Sequence, residues 1–285
     1  MGLEYIYNKS DLDREFNSLR NKKGNFNASA YNNKIVLTYQ YKVFYEKEIA
    51  LYKTDPALRR KLIENRIKYL FKEEFELTDK ELLRGFKISG IHVGFSHFSS
   101  LWVKAFIEKY NIKSIYDFCG GWGHRLLGSL NLDTYIYNDI DIRIVNNCKK
   151  IVEDFNIDNV IFYNNDSSIF TPKESYDCVF TCPPYFKTEK YNHNSTSINK
   201  YSEYEDWLNV WWRNSVKCSI KNCKKYFSFV VNNKYKEDMK RVCIEENLNF
   251  IEEIKVGKQN NLNHFQRVSN NSYKGEKLLV FACKK

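Results

Sequence analysis

The chain has 285 residues, which is enough for one large hydrophobic core or for a catalytic domain with a smaller accessory lobe. Its 45 Lys and Arg residues outnumber 35 Asp and Glu residues, and the formal net charge of +10 favours a polyanionic partner. The N-terminal residues show no secretory signal pattern, and no apolar run approaches the roughly 18 residues of a membrane span. We therefore expect a cytoplasmic protein without a membrane partner.

The first 90 residues are predicted to form an accessory lobe that is mostly helical. Asp55 and Pro56 are typical of a helix start, and apolar residues then recur at helical spacing. Residues 34–41 are apolar and β-branched, which indicates a strand and hence a mixed lobe. The predicted helix carries a basic face formed by Arg59, Arg60, Lys61, Arg66 and Lys68.

From residue 91 to residue 285 strands and helices alternate, which predicts a second domain. The predicted strands are 114–118, 134–138, 159–163, 176–181, 226–231, 250–256 and 277–283. The predicted helices are 97–110, 124–130, 143–155, 204–220 and 236–246. This alternation indicates an α/β sheet of parallel strands with helices on both faces. The last two strands have no helix between them, so we expect them to pair as neighbours, with the last strand antiparallel.

Eight cysteines are scattered along the chain without a C-x-x-C pair. Zinc sites usually bring their ligands in closely spaced pairs, so the sequence predicts no metal site. Free thiols in a reducing compartment fit this pattern best.

A glycine-rich segment follows the first predicted strand of the second domain. Residues 117–123 read Asp-Phe-Cys-Gly-Gly-Trp-Gly. Glycine permits positive φ and leaves no side chain between the backbone and a ligand. Ligands of open α/β sheets bind beyond the carboxyl ends of the strands, so the segment predicts a cofactor-binding turn. A tight strand-to-helix link is the alternative, and the absent G-x-G-x-x-G spacing disfavours NAD.

Two acids follow the next strand and are candidates for binding ribose hydroxyls. Asp139 is the first choice and Asp141 is the rival. An acid about 20 residues after a dinucleotide-binding glycine turn accepts hydrogen bonds from ribose in the same way. The acid that does not bind ribose is expected to cap the following helix.

A proline-rich segment follows the fourth predicted strand. Residues 181–186 read Thr-Cys-Pro-Pro-Tyr-Phe. Prolines fix the backbone direction, and an aromatic side chain after them can stack on a planar ring. The segment predicts a rigid corner that holds an amine-bearing ring.

In this order, the two segments resemble motifs I and IV of the S-adenosylmethionine-dependent amino-methyltransferases that methylate exocyclic amines of DNA bases. The wording of residues 121–128 is similar to compact phage or viral DNA methylases. The resemblance implies an enzyme with a class I, Rossmann-like methyltransferase sheet, S-adenosylmethionine as cofactor and DNA as partner. It covers residues 92–283 and does not extend to residues 1–90.

The resemblance also implies the roles of individual cofactor residues. Asp117 would face the methionine amino group, and Asp166 would bind the adenine amino group, although a helix cap is the alternative for Asp166. Two glycines of the family pattern match, whereas a cysteine replaces the first. A degraded motif X would line the methionine pocket. The turn and motif X residues concerned are Cys119, Gly121, Gly123 and His97.

For the acceptor, the resemblance assigns catalysis to a corner into which the base is flipped. The residues of this corner are Cys182, Pro183, Pro184 and Tyr185. Cys182 departs from the family's Asn, Asp or Ser. The nearest variant, Thr-Ser-Pro-Pro-Tyr of cytosine-N4 enzymes, favours cytosine N4 over adenine N6. Phe186 and Tyr191 are predicted to contact the substrate, and residues 187–202 are predicted to form a lid.

Two rival hypotheses remain. The same chemistry could act on RNA, because related prolyl corners serve RNA and protein substrates. A thiol is a weak hydrogen-bond acceptor, so Cys182 also favours a catalytically silent, methyltransferase-like subunit that binds nucleic acid. A covalent role for Cys182 is disfavoured because this cysteine precedes both prolines.

Overall fold

The chain divides into two compact units in the computed structural model. The model describes residues 7–29, 34–70, 86, 98–186, 196–257 and 275–283. One unit comprises Met1–Asn17 and Asn32–His97, and the other comprises Ser18–Tyr31 and Phe98–Lys285. The predicted domain boundary at residue 90 stays a prediction.

The described elements of the N-terminal region are helices. They are α1 (Lys9–Asn21), α2 (Lys34–Phe44), α3 (Glu46–Thr54) and α4 (Pro56–Leu70). The predicted strand at 34–41 is wrong, because these residues lie in α2. The Glu15 carboxylate accepts hydrogen bonds from the backbone N–H groups of Lys34 at 3.0 Å and Ile35 at 2.8 Å. These N–H groups have no partner within a helix, so the carboxylate stabilises the start of α2.

Helix α4 begins as the sequence predicts. The Asp55 side chain accepts a hydrogen bond from the backbone N–H of Leu58 at 3.0 Å, which confirms the predicted cap. Leu62 is buried, whereas Arg59, Arg60 and Lys61 are exposed. The helix therefore presents basic side chains to solvent.

The second unit is built on a seven-stranded sheet in the order β3-β2-β1-β4-β5-β7-β6. The strands are β1 (Ser114–Asp117), β2 (Thr134–Asn138), β3 (Val160–Tyr163), β4 (Tyr176–Thr181), β5 (Cys223–Asn232), β6 (Asn249–Val256) and β7 (Glu276–Ala282). β1 to β5 pair in parallel, and β7 pairs antiparallel with both β5 and β6. This topology confirms the predicted Rossmann-like α/β sheet and its antiparallel last strand.

The described helices of this unit lie ahead of β1 or between successive strands. They are α5 (Ser100–Tyr110), α6 (His124–Gly128), α7 (Ile142–Asp154), α8 (Ser197–Lys200), α9 (Tyr204–Asp206), α10 (Arg213–Ile220) and α11 (Lys236–Glu245). A π-helical segment, Trp207–Trp212, joins α9 to α10. The predicted single helix at 204–220 is thus interrupted. The wider π turn accommodates Trp207, Trp211 and Trp212, all of which are buried in the core.

The sheet has its topological switch point between β1 and β4. From β1 the chain continues to β2 on one side, and from β4 it continues to β5 on the other. Because β1 and β4 are parallel neighbours, their carboxyl ends lie at the same edge of the sheet. The glycine-rich and proline-rich segments therefore start side by side, where open α/β sheets bind ligands.

Of the helices that the model describes, none has the length and apolar character needed to cross a membrane.

Candidate functional site

The glycine turn follows β1 and packs against β2. Gly121 and Gly123 have φ angles of 60° and 101°, which side chains rarely permit. A Cβ atom at Gly120 would lie 2.3 Å from the Tyr137 ring, so only glycine fits there. A Cβ atom at Gly121 would make ordinary van der Waals contacts at 3.6 Å, so it would not clash there. The turn therefore packs tightly against β2 at Gly120, whereas the positive φ is what requires glycine at Gly121.

Asp139 lies directly beside this turn. Its Oδ2 accepts a hydrogen bond from the Gly121 N–H at 2.8 Å, and its Oδ1 accepts one from the Asp141 N–H at 2.9 Å. Burial raises the pKa of Asp139 to about 6, although these two hydrogen bonds oppose the rise. A carboxylate can accept about four hydrogen bonds, so Asp139 keeps acceptor capacity beyond its partners among the described residues.

Asp141 caps a helix. Its Oδ1 accepts a hydrogen bond from the Arg143 N–H at 3.0 Å at the start of α7. The Arg143 guanidinium donates to the same carboxylate at 2.7 Å. The predicted N-cap is thus confirmed for Asp141. Asp139 is the acid that contacts the glycine turn.

Asp166 follows β3 and is engaged locally. It accepts hydrogen bonds from the Ser168 N–H at 2.9 Å and the Ser168 hydroxyl at 2.7 Å. The Lys200 ammonium lies 3.2 Å from its other oxygen. Burial acts to raise the pKa of Asp166, but the Ser168 hydrogen bonds and Lys200 outweigh burial and lower it. Asp166 therefore stabilises a turn at residues 167–169, and no helix starts there for it to cap. The predicted adenine contact stays a prediction.

Asp117, at the end of β1, is fully buried. Its Oδ2 accepts hydrogen bonds from Arg125 Nε at 2.6 Å and from the Tyr135 hydroxyl at 2.7 Å. Its Oδ1 accepts one from the Thr181 hydroxyl at 2.8 Å. The Cys119 N–H lies 3.3 Å from Oδ1. The carboxylate thus connects the glycine turn with the last residue of β4.

Arg125 is the buried cation that balances Asp117. Its side chain is 8% exposed, and its guanidinium also donates to the Cys119 carbonyl. It lies 5.2 Å from the centre of the Phe98 ring. Burial acts to lower the pKa of Arg125, but the Asp117 carboxylate outweighs burial and raises it. Arg125 therefore stays charged, and its hydrogen bonds to Asp117 and Cys119 stabilise the turn.

The prolyl corner begins at the end of β4. Cys182 and Pro184 are half-buried, and Pro183 is buried. The Cys182 sulfur lies 3.9 Å from the Tyr185 hydroxyl. The corner therefore presents its thiol at the edge of the sheet beside the glycine turn.

The aromatic residues of the corner pack inward. Tyr185 is 2% exposed, stacks on Tyr235 with ring centres 6.2 Å apart, and donates to Glu276 at 3.0 Å. Phe186 is 5% exposed, and its carbonyl accepts a hydrogen bond from the Tyr235 hydroxyl. These contacts with Tyr235 and Glu276 stabilise the backbone of the corner. The predicted contacts of Tyr185 and Phe186 with a substrate stay predictions.

Two predicted site residues, His97 and Tyr191, lie outside the described residues. Of the predicted lid, only residues 196–202 are described, and they include α8. Within the described ranges, no group of three or more His, Cys, Asp or Glu side chains could hold a metal ion.

Sequence reasoning missed Arg125, Tyr135 and Thr181. Each of them contacts Asp117 from a different element, so no local spacing in the sequence predicts that these residues come together. A usable signal was the rule that a buried acid needs a buried cation, but the sequence does not show that Asp117 is buried.

No protein-family model matches the chain, and no curated protein matches it. Several solved structures are similar at low identity. The N-methyltransferase NodS from Bradyrhizobium japonicum WM9 has 11% identity and a TM-score of 0.40, over 60% of this chain and 85% of that chain. A SAM-dependent methyltransferase from Aquifex aeolicus has 12% identity and a TM-score of 0.42, over 64% and 89%.

A third similar structure is an S-adenosylmethionine-dependent methyltransferase from Clostridium acetobutylicum ATCC 824. It has 10% identity and a TM-score of 0.46, over 73% of this chain and 99% of that chain. Similarity at such low identity concerns the fold of the chain.

Proposed function

We propose that this chain transfers a methyl group from S-adenosylmethionine to an exocyclic amino group of a DNA base. One observation carries the proposal. The glycine turn and the prolyl corner extend from neighbouring parallel strands at the switch point, and the buried Asp117 carboxylate connects them. A donor held at the turn and an acceptor held at the corner would therefore be adjacent. The similar structures from A. aeolicus and C. acetobutylicum are both named as S-adenosylmethionine-dependent methyltransferases.

The residues of the turn fit a nucleoside-containing cofactor. Gly121 has a φ of 60° and carries no side chain, and Asp139 has acceptor capacity for ribose hydroxyls beside it. S-adenosylmethionine would supply a methyl group activated on a sulfonium centre. Its S–CH3 bond would break as the N–CH3 bond forms, S-adenosylhomocysteine would leave, and the methylated nitrogen would lose one proton to water. In the proposal, Asp139 accepts both ribose hydroxyls, Gly121 and Gly123 admit the cofactor, and Asp166 receives the adenine amino group.

The corner would orient the acceptor amine. The lone pair of an exocyclic amine is delocalised into the ring, so the amine is a poor nucleophile. The Cys182 thiol and the Pro183 carbonyl accept its N–H groups and direct the lone pair outward. The prolines hold both acceptors in place, and the rate would come mainly from this positioning. For the proposed stacking on the base, Tyr185 must uncover one face of its ring, which is 2% exposed here.

Charge supports a nucleic acid as the substrate. The net charge is +10, and α4 presents Arg59, Arg60 and Lys61 to solvent. Basic surfaces gain affinity for DNA by releasing counterions. The corner differs from the Thr-Ser-Pro-Pro-Tyr of cytosine-N4 enzymes only by cysteine in place of serine, which favours cytosine N4 over adenine N6.

Two observations favour a second candidate, a catalytically silent subunit that binds nucleic acid. The corner offers a thiol as its side-chain acceptor, and thiols accept hydrogen bonds weakly. Tyr185 is also packed against Tyr235 rather than open to a base. A silent subunit would bind nucleic acid without transferring methyl groups.

Transfer of labelled methyl groups to separate DNA, RNA and protein pools tests the proposal. We expect label in DNA that depends on the intact turn. Gly121→Val is the control, because a branched side chain is strained at a φ of 60° and would distort the turn. Label confined to RNA would move the same chemistry to the rival substrate. Label in protein alone, or none in any pool, would contradict the proposal.

A further inference from the structure

The Asp117 carboxylate is the meeting point of the two segments that form the site. It accepts hydrogen bonds from Arg125 in α6, Tyr135 in β2 and Thr181 in β4, at 2.6, 2.7 and 2.8 Å. A fourth donor, the Cys119 N–H of the turn, lies at 3.3 Å. Each donor belongs to a different part of the fold.

These partners use the whole hydrogen-bonding capacity of the carboxylate. Two oxygens offer about four lone-pair positions. Here Oδ2 has two donors, and Oδ1 has two donors and a third, Arg125 Nη2, at 3.5 Å. The Asp117 side chain has no exposed surface. A ligand amine could reach it only by displacing a partner and leaving a buried polar group unpaired. The geometry therefore fits a structural link better than a ligand contact.

We propose that Asp117 and Thr181 are positioning residues that fix the prolyl corner relative to the glycine turn. The inference rests on the proposed function, and it gives Asp117 a role different from the amino-group contact that the family resemblance implies. Thr181 directly precedes Cys182, so its hydrogen bond fixes the backbone where the corner starts. Arg125 grips both Asp117 and the Cys119 carbonyl, so the same cluster fixes the turn. The cluster thereby sets the separation of methyl donor and acceptor.

The hydrogen bond of Thr181 should affect turnover more than cofactor binding. Misplacing a reacting group by about 1 Å can cost roughly 100-fold in rate. Loss of the Thr181 hydroxyl should loosen the corner while the turn keeps Arg125, Tyr135 and Asp139. Turnover should therefore fall much more than cofactor affinity.

A pair of threonine variants tests the inference. Thr181→Val removes the hydroxyl and keeps the shape, whereas Thr181→Ser keeps the hydroxyl. We expect Thr181→Val to lower kcat about 10- to 100-fold with little change in the Kd of S-adenosylmethionine, and Thr181→Ser to retain most of kcat. Thr171→Val is the matched control, since it removes a threonine-to-carbonyl hydrogen bond, to Cys218, elsewhere in the unit. Wild-type kcat in Thr181→Val would overturn the inference.

A second readout does not depend on activity. Amide hydrogen exchange of residues 117–123 and 181–186 in the cofactor-free protein should be faster in Thr181→Val than in Thr181→Ser. Equal exchange in both variants would overturn the link. If exchange is faster in Thr181→Val than in Thr181→Ser but the wild-type protein transfers no methyl group, the link is supported and only the proposed function is contradicted. If Asp117→Asn abolishes cofactor binding while Thr181→Val behaves as wild type, the positioning role of the Asp117–Thr181 hydrogen bond is overturned.

Discussion

Asp139 and Asp141 show how two acids two residues apart acquire different chemistry. Asp141 caps the start of α7 and forms an ion pair with Arg143. Asp139 accepts two backbone hydrogen bonds and retains acceptor capacity beside Gly121. The sequence predicted that one acid would bind and the other would cap. It could not assign them with certainty, because both follow the strand closely and only the path of the backbone separates their roles.

The pH dependence of cofactor affinity tests the role of Asp139. Because burial raises its pKa to about 6, the carboxylate takes up a proton as the pH falls through about 6. A protonated acid cannot accept both ribose hydroxyls, so the affinity measured by calorimetry should fall between about pH 8 and about pH 5. Asp139→Asn should bind weakly and without this step.

Asp141→Asn is the matched control for that experiment. Asparagine is also a good N-cap residue, so we expect less than about 1 kcal/mol of lost stability and an unchanged pH step. If Asp141→Asn rather than Asp139→Asn removed the pH step, the assignment of the two acids would be reversed.

Substitution of Cys182 tests the acceptor geometry. If the thiol orients an amine, Cys182→Ser should retain or raise methyl transfer, because oxygen accepts N–H groups better than sulfur does. Cys182→Ala should lower transfer, since it removes the acceptor. Abolished turnover in Cys182→Ser, together with a trapped adduct on a 5-fluorocytosine substrate, would instead establish a covalent nucleophile.

At the scale of elements, local patterns predicted the central sheet well. The predicted strands 134–138 and 176–181 coincide with β2 and β4. Helix α2 was mistaken for a strand, because an apolar run does not distinguish a buried strand from a buried helix. Its start is stabilised by Glu15, which belongs to another helix. Long-range partners of this kind, like Arg125 and Thr181 in the site, have no local sequence signal.

Helix α5 carries a buried lysine whose loss should destabilise the second unit. Lys104 is 3% exposed, and its ammonium donates to the carbonyls of Leu19, Arg20 and Lys22 at 2.5, 3.0 and 2.8 Å. Burial lowers the pKa of Lys104, although Glu108 opposes this effect. Lys104→Met should cost about 2–3 kcal/mol in urea unfolding, because the three carbonyls lose a charged donor.

Lys109→Met serves as the comparison, since Lys109 lies on the same helix as Lys104 and forms an exposed ion pair with Glu252 of β6. Exposed pairs contribute about 0–1 kcal/mol, so this variant should remain near wild-type stability. Equal losses in the two variants would show that the Lys104 hydrogen bonds add nothing beyond a surface contact.

At the scale of the whole molecule, net charge should govern the encounter with substrate. With a net charge of +10, binding to DNA should weaken by orders of magnitude between roughly 50 and 200 mM salt. The exposed Arg59 and Arg60 of α4 are candidate phosphate contacts. The double variant Arg59→Gln and Arg60→Gln should reduce the slope of log affinity against log salt by about 2. A flat salt response in the wild-type protein would argue for a small-molecule or protein acceptor.

The position of the transferred methyl group tests the central claim most directly. Unmethylated DNA is incubated with the protein and S-adenosylmethionine carrying an isotopically labelled methyl group, digested to nucleosides, and analysed by mass spectrometry. The account predicts label on an exocyclic nitrogen, with N4-methylcytosine expected ahead of N6-methyladenine, and no label with Gly121→Val. Label on a ring carbon would contradict transfer to an amine at the prolyl corner.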